Sequence, residues 1–234
     1  MQITPVSRRR LYQEVSAHLE RMIGAGELAE GELLPSERDL MEQFQVGRPA
    51  IREALLSLPQ KGLIHVSNGE RARVCRPDAA RLIDALSGAA SLYLSSDDGV
   101  RHFQATRMLY EAAATAQAAL VATEKDLERI GESLEANREA LSDSVRFQDT
   151  DVAFHLQIVL ALRNPLLTGI HEALSEWLTQ QRVVSLAETD AAEKAFDFHE
   201  RIFAALKARS PEKAEALMRE HLKDVEATYW RCAT

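Results

Sequence analysis

The chain has 234 residues, 46% of them hydrophobic, which is enough for one or two domains that each bury a core. Its two cysteines, Cys75 and Cys232, form no CxxC pair, and no run approaches the roughly 18 unbroken apolar residues of a membrane span; these facts exclude a disulfide framework and a transmembrane helix. The net charge of −8 opposes nucleic-acid binding only until it is divided: residues 1–77 carry 11 Lys+Arg against 10 Asp+Glu, and the remainder carries 17 against 26. The N-terminal "MQITPVSRRRLYQEV" has no apolar core after its arginines, so it does not read as a secretory signal, and a soluble cytoplasmic protein is expected.

In chain order, residues 8–25 carry Leu11, Val15, Leu19, Met22 and Ile23 on one helical stripe. "GAGELAEGELLP" breaks that helix. "PSERDLMEQF" begins a second, with Ser36 as N-cap and Asp39 three residues on, a capping-box pattern. "QVG" is a short turn, and "RPAIREALLSL" a third helix with Pro49 in its first turn. Pro59 should end or kink this helix one turn early. "GLIHVSNGERARVC" holds two short β-like runs around Asn68-Gly69, a strong hairpin dipeptide. Three helices and a hairpin are the order of a winged helix-turn-helix. After Arg76-Pro77 the strand signals stop. Six or seven helical segments follow, at 79–94, 100–122, 124–141, 144–162, 166–186, 190–208 and 212–231, punctuated by "SSDDG", "RNP" and "RSP". Thr123 and Asp126 form another capping-box pattern. The expectation is a mainly α protein: a winged helix-turn-helix domain at 1–77, then an all-helical antiparallel bundle at 78–234.

Arg48 and Arg52 lie one turn apart near the start of the third helix, the end that enters the major groove in a helix-turn-helix. A guanidinium can fork onto guanine O6 and N7. Arg38 would sit nearby, Lys61 would meet a phosphate, and Asn68 and Gly69 at the hairpin tip would approach the minor groove, with Arg71 and Arg73 following the backbone. Taken singly, each arginine fits a solvated helix face equally well; the ordered set is more specific than its members. "LPSERDL", "RPAIREAL" and "KGLIHV" resemble the winged-helix domain of the GntR superfamily of bacterial transcription regulators. That resemblance implies operator contacts at Arg38, Gly47, Arg48 and Arg52, and a hairpin tip in the minor groove. Pro59 departs from the family pattern.

In the second half Asp151, His155, His199 and His221 stand out, in "TDVAFHLQI", "FDFHERIF" and "LMREHLKD". Spacing links only Asp151 and His155, at i and i+4 of one helix face. The other two fit a hydrogen-bonded core histidine as well as a ligand. Three His and one carboxylate would suit zinc or nickel. The sequence also resembles the FadR subfamily, whose helical effector domain is called FCD. This resemblance implies a metal held by Asp151, His155, His199 and His221, and a cavity lined by the Arg-x-x-x-Glu helix at Arg107–Glu111. "VGRPAIREAL", "NGERARVCRP", "RNPLLTGIHEALSEWL" and "ATYW" look like the sialic-acid-responsive NanR-type subgroup. It implies a sugar-acid or small-carboxylate effector that fills open metal positions, with Arg107 as the first candidate for a second anionic contact and Asn137, Trp177 and Arg182 as weaker candidates.

The reading is a ligand-responsive transcription regulator, a repressor and not an enzyme, bound to duplex DNA as a homodimer whose two recognition helices read two half-sites. Two alternatives stand beside it. A metal-dependent hydrolase would use the His/Asp set to activate water, although the chain has no HExxH and no nucleophile motif. A structural oligomerisation module would show no salt-dependent DNA binding.

Overall fold

The computed structural model describes residues 11–65, 71–75, 89–186, 188 and 190–233. The hairpin tip Asn68-Gly69, residues 8–10, most of the expected helix at 79–94 and the 77/78 domain boundary lie outside these residues. The chain divides into two compact units, Met1–Leu82 and Ile83–Thr234.

In the first unit, α1 (Leu11–Ala25) buries Val15, Leu19 and Ile23. α2 (Glu37–Phe44) is capped by Ser36, whose side chain accepts from the Asp39 N–H while the Asp39 carboxylate accepts from the Ser36 N–H. Gln45 turns the chain in the left-handed region, and Gly47 caps α3 (Arg48–Ser57), with Pro49 in its first turn. Pro59 ends α3 as expected: the chain passes into a single 3₁₀ turn, Pro59–Lys61, closed by left-handed Gly62. Strands β1 (Ile64–His65) and β2 (Arg73–Val74) pair antiparallel. The stretch expected to be only a break adds to this ribbon, because Leu33 bridges Arg73 and the Leu34 N–H donates to the Ala72 carbonyl at 2.8 Å. Leu19, Ile23, Leu40, Ile51, Leu58, Ile64 and Val74 close one core beneath helices and ribbon.

In the second unit, residues 89–93 are helical and α4 (Asp97–Val121) follows at once. The break expected at "SSDDG" falls at 94–96, and the next helix starts at Asp97 rather than 100: Ser96 caps it, and Asp97 and Asp98 sit in the first turn, where the helix dipole favours them. Gly99 is required there, since a Cβ would lie 1.9 Å from the Tyr93 carbonyl oxygen. α5 (Glu124–Glu139) opens with the Thr123–Asp126 capping box, and α6 (Ser144–Leu160) with Asp143. One correction concerns the segment expected as a single helix over 166–186. It is two helices, α7 (Pro165–Trp177) and α8 (Thr179–Ser185), broken at Leu178 without glycine or proline. The Ser175 carbonyl at the break accepts from the side chains of Thr179 and Arg182. α9 (Ala191–Lys207) and α10 (Pro211–Cys232) complete the bundle. The short connections at 140–143 and 208–210 make neighbours antiparallel. α10 packs along α4, and α6 contacts α4, α5, α7 and α9. Their shared core is built from Ala112, Ala119, Ile130, Phe154, Ile158, Ile202, Leu206 and Met218.

Candidate functional site

The capping at Ser36 and the left-handed turn at Gln45 present the start of α3 to solvent. Arg48 and Arg52 share one acidic partner there: Glu37 Oε2 lies 2.9 Å from Arg48 Nε, and its Oε1 lies 3.7 Å from Arg52 Nε. Arg38 pairs with Glu42 at 3.2 Å and is the most exposed of the three. These are exposed ion pairs, worth at most about 1 kcal/mol each, so a polyanion can displace them. Lys61 lies on the 3₁₀ turn with its ammonium on Glu20 at 2.5 Å. Arg71 is exposed. Arg73 donates to the Gly31 carbonyl, so it braces the ribbon.

The second unit buries its chemistry. α6 places Asp151 and His155 one turn apart, as their spacing required; α9 supplies His199 and α10 supplies His221. One donor atom from each of the four lies within 4.8 Å of all the others, and all four residues are buried. The three Nε2 atoms converge: His221 Nε2 is 3.3 Å from both His199 Nε2 and His155 Nε2, while Asp151 Oδ1 is 3.5 Å from His199 Nε2. The far side of two rings fixes their tautomers. His199 Nδ1 donates to Asn137 Oδ1 at 2.9 Å, and His155 Nδ1 donates to Glu111 Oε2. Nδ1 of each ring therefore carries a proton, and both Nε2 atoms point inward. Burial, opposed by Asp151, lowers the His199 pKa to about 3, and burial lowers that of His221 well below its ordinary value, so these rings are neutral at pH 7. Burial works against the Asp151 carboxylate, but His155, His199, Arg182 and His221 outweigh it and bring its pKa to about 2. Three ring nitrogens and one carboxylate oxygen gathered this closely could hold a divalent metal ion. Phe154 stacks on His199, with ring centroids 4.5 Å apart, and holds its plane.

This cluster forms part of a cavity wall. A narrow cleft is lined by Asp151 and His221 together with Arg107, Arg182, Ser185, Asp224 and Thr228 among others. A second narrow cleft shares Arg107, Arg182 and Ser185 and adds Gln104, Gln181 and Tyr229. Arg182 Nε lies 3.3 Å from Asp151 Oδ2, and its Nη2, though buried, has no hydrogen-bond partner among the described residues. Arg107 Nε donates to Glu111 Oε1 at 2.6 Å. Of the four residues expected to bind an effector, Arg107 and Arg182 line this space. The other two are placed elsewhere. Asn137 orients His199 from behind and holds Thr150 at 3.0 Å, and Trp177 packs edge-on against Phe103.

Residues 11–74 match the family described as bacterial regulatory proteins, gntR family, and residues 103–224 match the FCD domain. The chain belongs to the GntR family of bacterial transcription regulators. It is 41% identical over 228 residues to the HTH-type transcriptional repressor NanR of Cronobacter sakazakii, covering 96% of this chain and 87% of that protein. It is 42% identical over 229 residues to the protein of the same name from Klebsiella aerogenes, covering 97% and 88%. Among solved structures, Streptococcus agalactiae GntR shares the fold with a TM-score of 0.58 at 19% identity, over 92% of this chain and 99% of that one. The E. coli protein McbR/YncC does so with a TM-score of 0.54 at 21% identity, over 97% and 100%. As a GntR-family member the protein is a DNA-binding transcription regulator with an FCD effector domain and not an enzyme, which sets aside the hydrolase and the purely structural readings.

The sequence reading passed over His171, Ser185, Asp224 and Thr228. His171 is buried; its Nδ1 lies 3.9 Å from Glu111 Oε1, and burial lowers its pKa to about 4. Its signal was present in the sequence, because His171 sits on the α7 stripe of Leu167, Leu174 and Leu178 at helical spacing. The three lining residues carried none.

Proposed function

We propose that this GntR-family regulator is a metal-containing repressor released from, or held on, its operator by an anionic effector, with sialic acid the first candidate among sugar acids and small carboxylates. One observation carries the reading: the His/Asp cluster and two buried guanidinium groups open onto the same cavity. Charge supports it. Among the described residues of the cavity region, buried Arg107 and Arg182 are balanced by buried Glu111 and Asp151, and half-buried Asp224 adds one more negative charge at the wall. Buried charge of one sign is costly unless matched. A bound zinc or nickel ion supplies two positive charges and a Lewis-acidic position at Asp151, His155, His199 and His221. The cavity then has an excess of positive charge that an anion neutralises. Arg107 and the unpartnered Nη2 of Arg182 are suited to fork onto a carboxylate. Ser185, Asp224 and Thr228 offer hydroxyl and carboxylate partners for the hydroxyls of a sugar acid.

On the DNA side, Arg48 and Arg52 read base edges from α3, while Gly47, Arg38, Lys61 and Arg71 settle the backbone, with Asn68 and Gly69 at the minor groove. A homodimer in the bacterial cytoplasm places two such helices on two half-sites. The effector regulates only if it favours one arrangement of the paired DNA domains. The test is a binding titration of zinc-loaded protein against a duplex selected from random sequences, with and without N-acetylneuraminate. A changed affinity supports the reading; identical curves at saturating N-acetylneuraminate remove that compound as effector.

A further inference from the structure

Glu111 is not one of the converging donors, yet it touches both the donor set and the cavity. It is fully buried on α4, one turn from Arg107. Its Oε1 accepts from Arg107 Nε at 2.6 Å, and its Oε2 accepts from His155 Nδ1. His171 stands 3.9 Å away on a third side. One negative charge is therefore shared between a cavity guanidinium and the back of an inward-facing imidazole, where water cannot screen or replace it.

We propose that Glu111 is a positioning carboxylate that couples the anion cavity to the metal centre: what occupies Arg107 sets how strongly Glu111 holds His155. The proposal rests on the reading of the cluster as a metal centre. A carboxylate behind a ligating histidine fixes the ring and raises the basicity of its far nitrogen. An anion on the free side of Arg107 draws part of the guanidinium charge away from Glu111. Glu111 then accepts more fully from His155, and the metal is held more tightly. Linkage requires the converse, so metal tightens the anion by the same factor. Both contacts lie within the second unit, and the device tunes effector binding there.

The experiment uses full-length protein and zinc alone, competed against a chromophoric chelator at fixed pH. Glu111→Gln preserves the size of the side chain and weakens zinc binding by about 10- to 100-fold. Arg107→Gln changes zinc affinity, and the double variant departs at least threefold from the product of the two single changes, because both act through one carboxylate. Zinc affinity within twofold of wild type in Glu111→Gln, or single effects that multiply without deviation, would overturn the proposal. A loss of melting temperature in metal-free protein with no change in zinc affinity would assign Glu111 a merely structural role. Wild-type protein that binds no zinc would instead overturn the metal centre itself. A measurement without substitution guards against misfolding: in zinc-loaded wild type, His155 must show an Nδ1-bound proton by NMR, and metal at Nδ1 would contradict the geometry.

Discussion

Both units of this regulator carry arginines beside carboxylates, but they use them in opposite ways. On α2 and α3 the side chains of Arg38, Arg48 and Arg52 are 87%, 67% and 64% exposed and rest on acidic neighbours that water already screens. In the bundle the side chains of Arg107 and Arg182 are 9% and 5% exposed, and their carboxylates have no such screening. A charge that must exchange partners within each binding event is kept where its present partner costs little to leave. A charge that must stay in place to define a cavity is kept where losing its partner is expensive. The same residue type is therefore loosely paired and exposed in one unit and tightly paired and buried in the other.

The largest expected effect comes from removing a buried partner. Asp151→Ala leaves Arg182 without its carboxylate and takes one donor from the cluster; the FCD unit loses about 3–5 kcal/mol, and zinc no longer raises its melting temperature. A variant that melts like wild type and is still protected by zinc would erase the contrast. His199→Ala should cost less stability but abolish zinc protection, read by the same melting curves; full retention would make it a core histidine only. Arg52→Ala tests the exposed side. Operator affinity falls by about 1–3 kcal/mol at matched salt while the melting temperature stays close to wild type, since surface substitutions move stability by about 0.5 kcal/mol or less. Glu37→Gln is smaller still: it releases Arg48 and Arg52 and raises affinity for non-specific duplex a few-fold, with a steeper salt dependence.

Acid separates the units in the same sense. His199 and His171 are held neutral in metal-free protein, with pKa values of about 3 and about 4 against an ordinary 6.5. A base whose folded pKa is depressed contributes stability that is complete above its unfolded value and is lost as pH falls. The FCD unit therefore weakens progressively between about pH 6.5 and pH 3, and Asp151 adds a further loss between 3.8 and about 2. Circular-dichroism melts of metal-free protein across that range should show the bundle failing first; parallel loss of both units would remove the distinction.

The sequence made the winged unit legible because its rules are local. Ser36 with Asp39, Gly47 before Pro49, and Pro59 each act within a turn of themselves, and each appears where expected. Leu33 was missed because pairing with Arg73 is a tertiary event that a Gly- and Glu-rich stretch does not advertise. In the bundle, Asp151 and His155 were linked by helical spacing, whereas only the fold brings His199 and His221 to them across α9 and α10. The break at Leu178 left no mark because its compensation, the Arg182 and Thr179 side chains on the Ser175 carbonyl, comes from residues that also suit an unbroken helix. Asn137 was named for the cavity, whereas it bonds the outer nitrogen of His199, a distinction that depends on which side of that ring it approaches.

We propose that metal makes the two-arginine cavity an anion site. The direct measurement is the melting temperature of zinc-loaded and zinc-free protein across a titration of N-acetylneuraminate. The melting temperature should rise with concentration in the zinc-loaded protein and stay unchanged without zinc. An equal rise in both forms would show that the arginines bind the anion unaided and would contradict it.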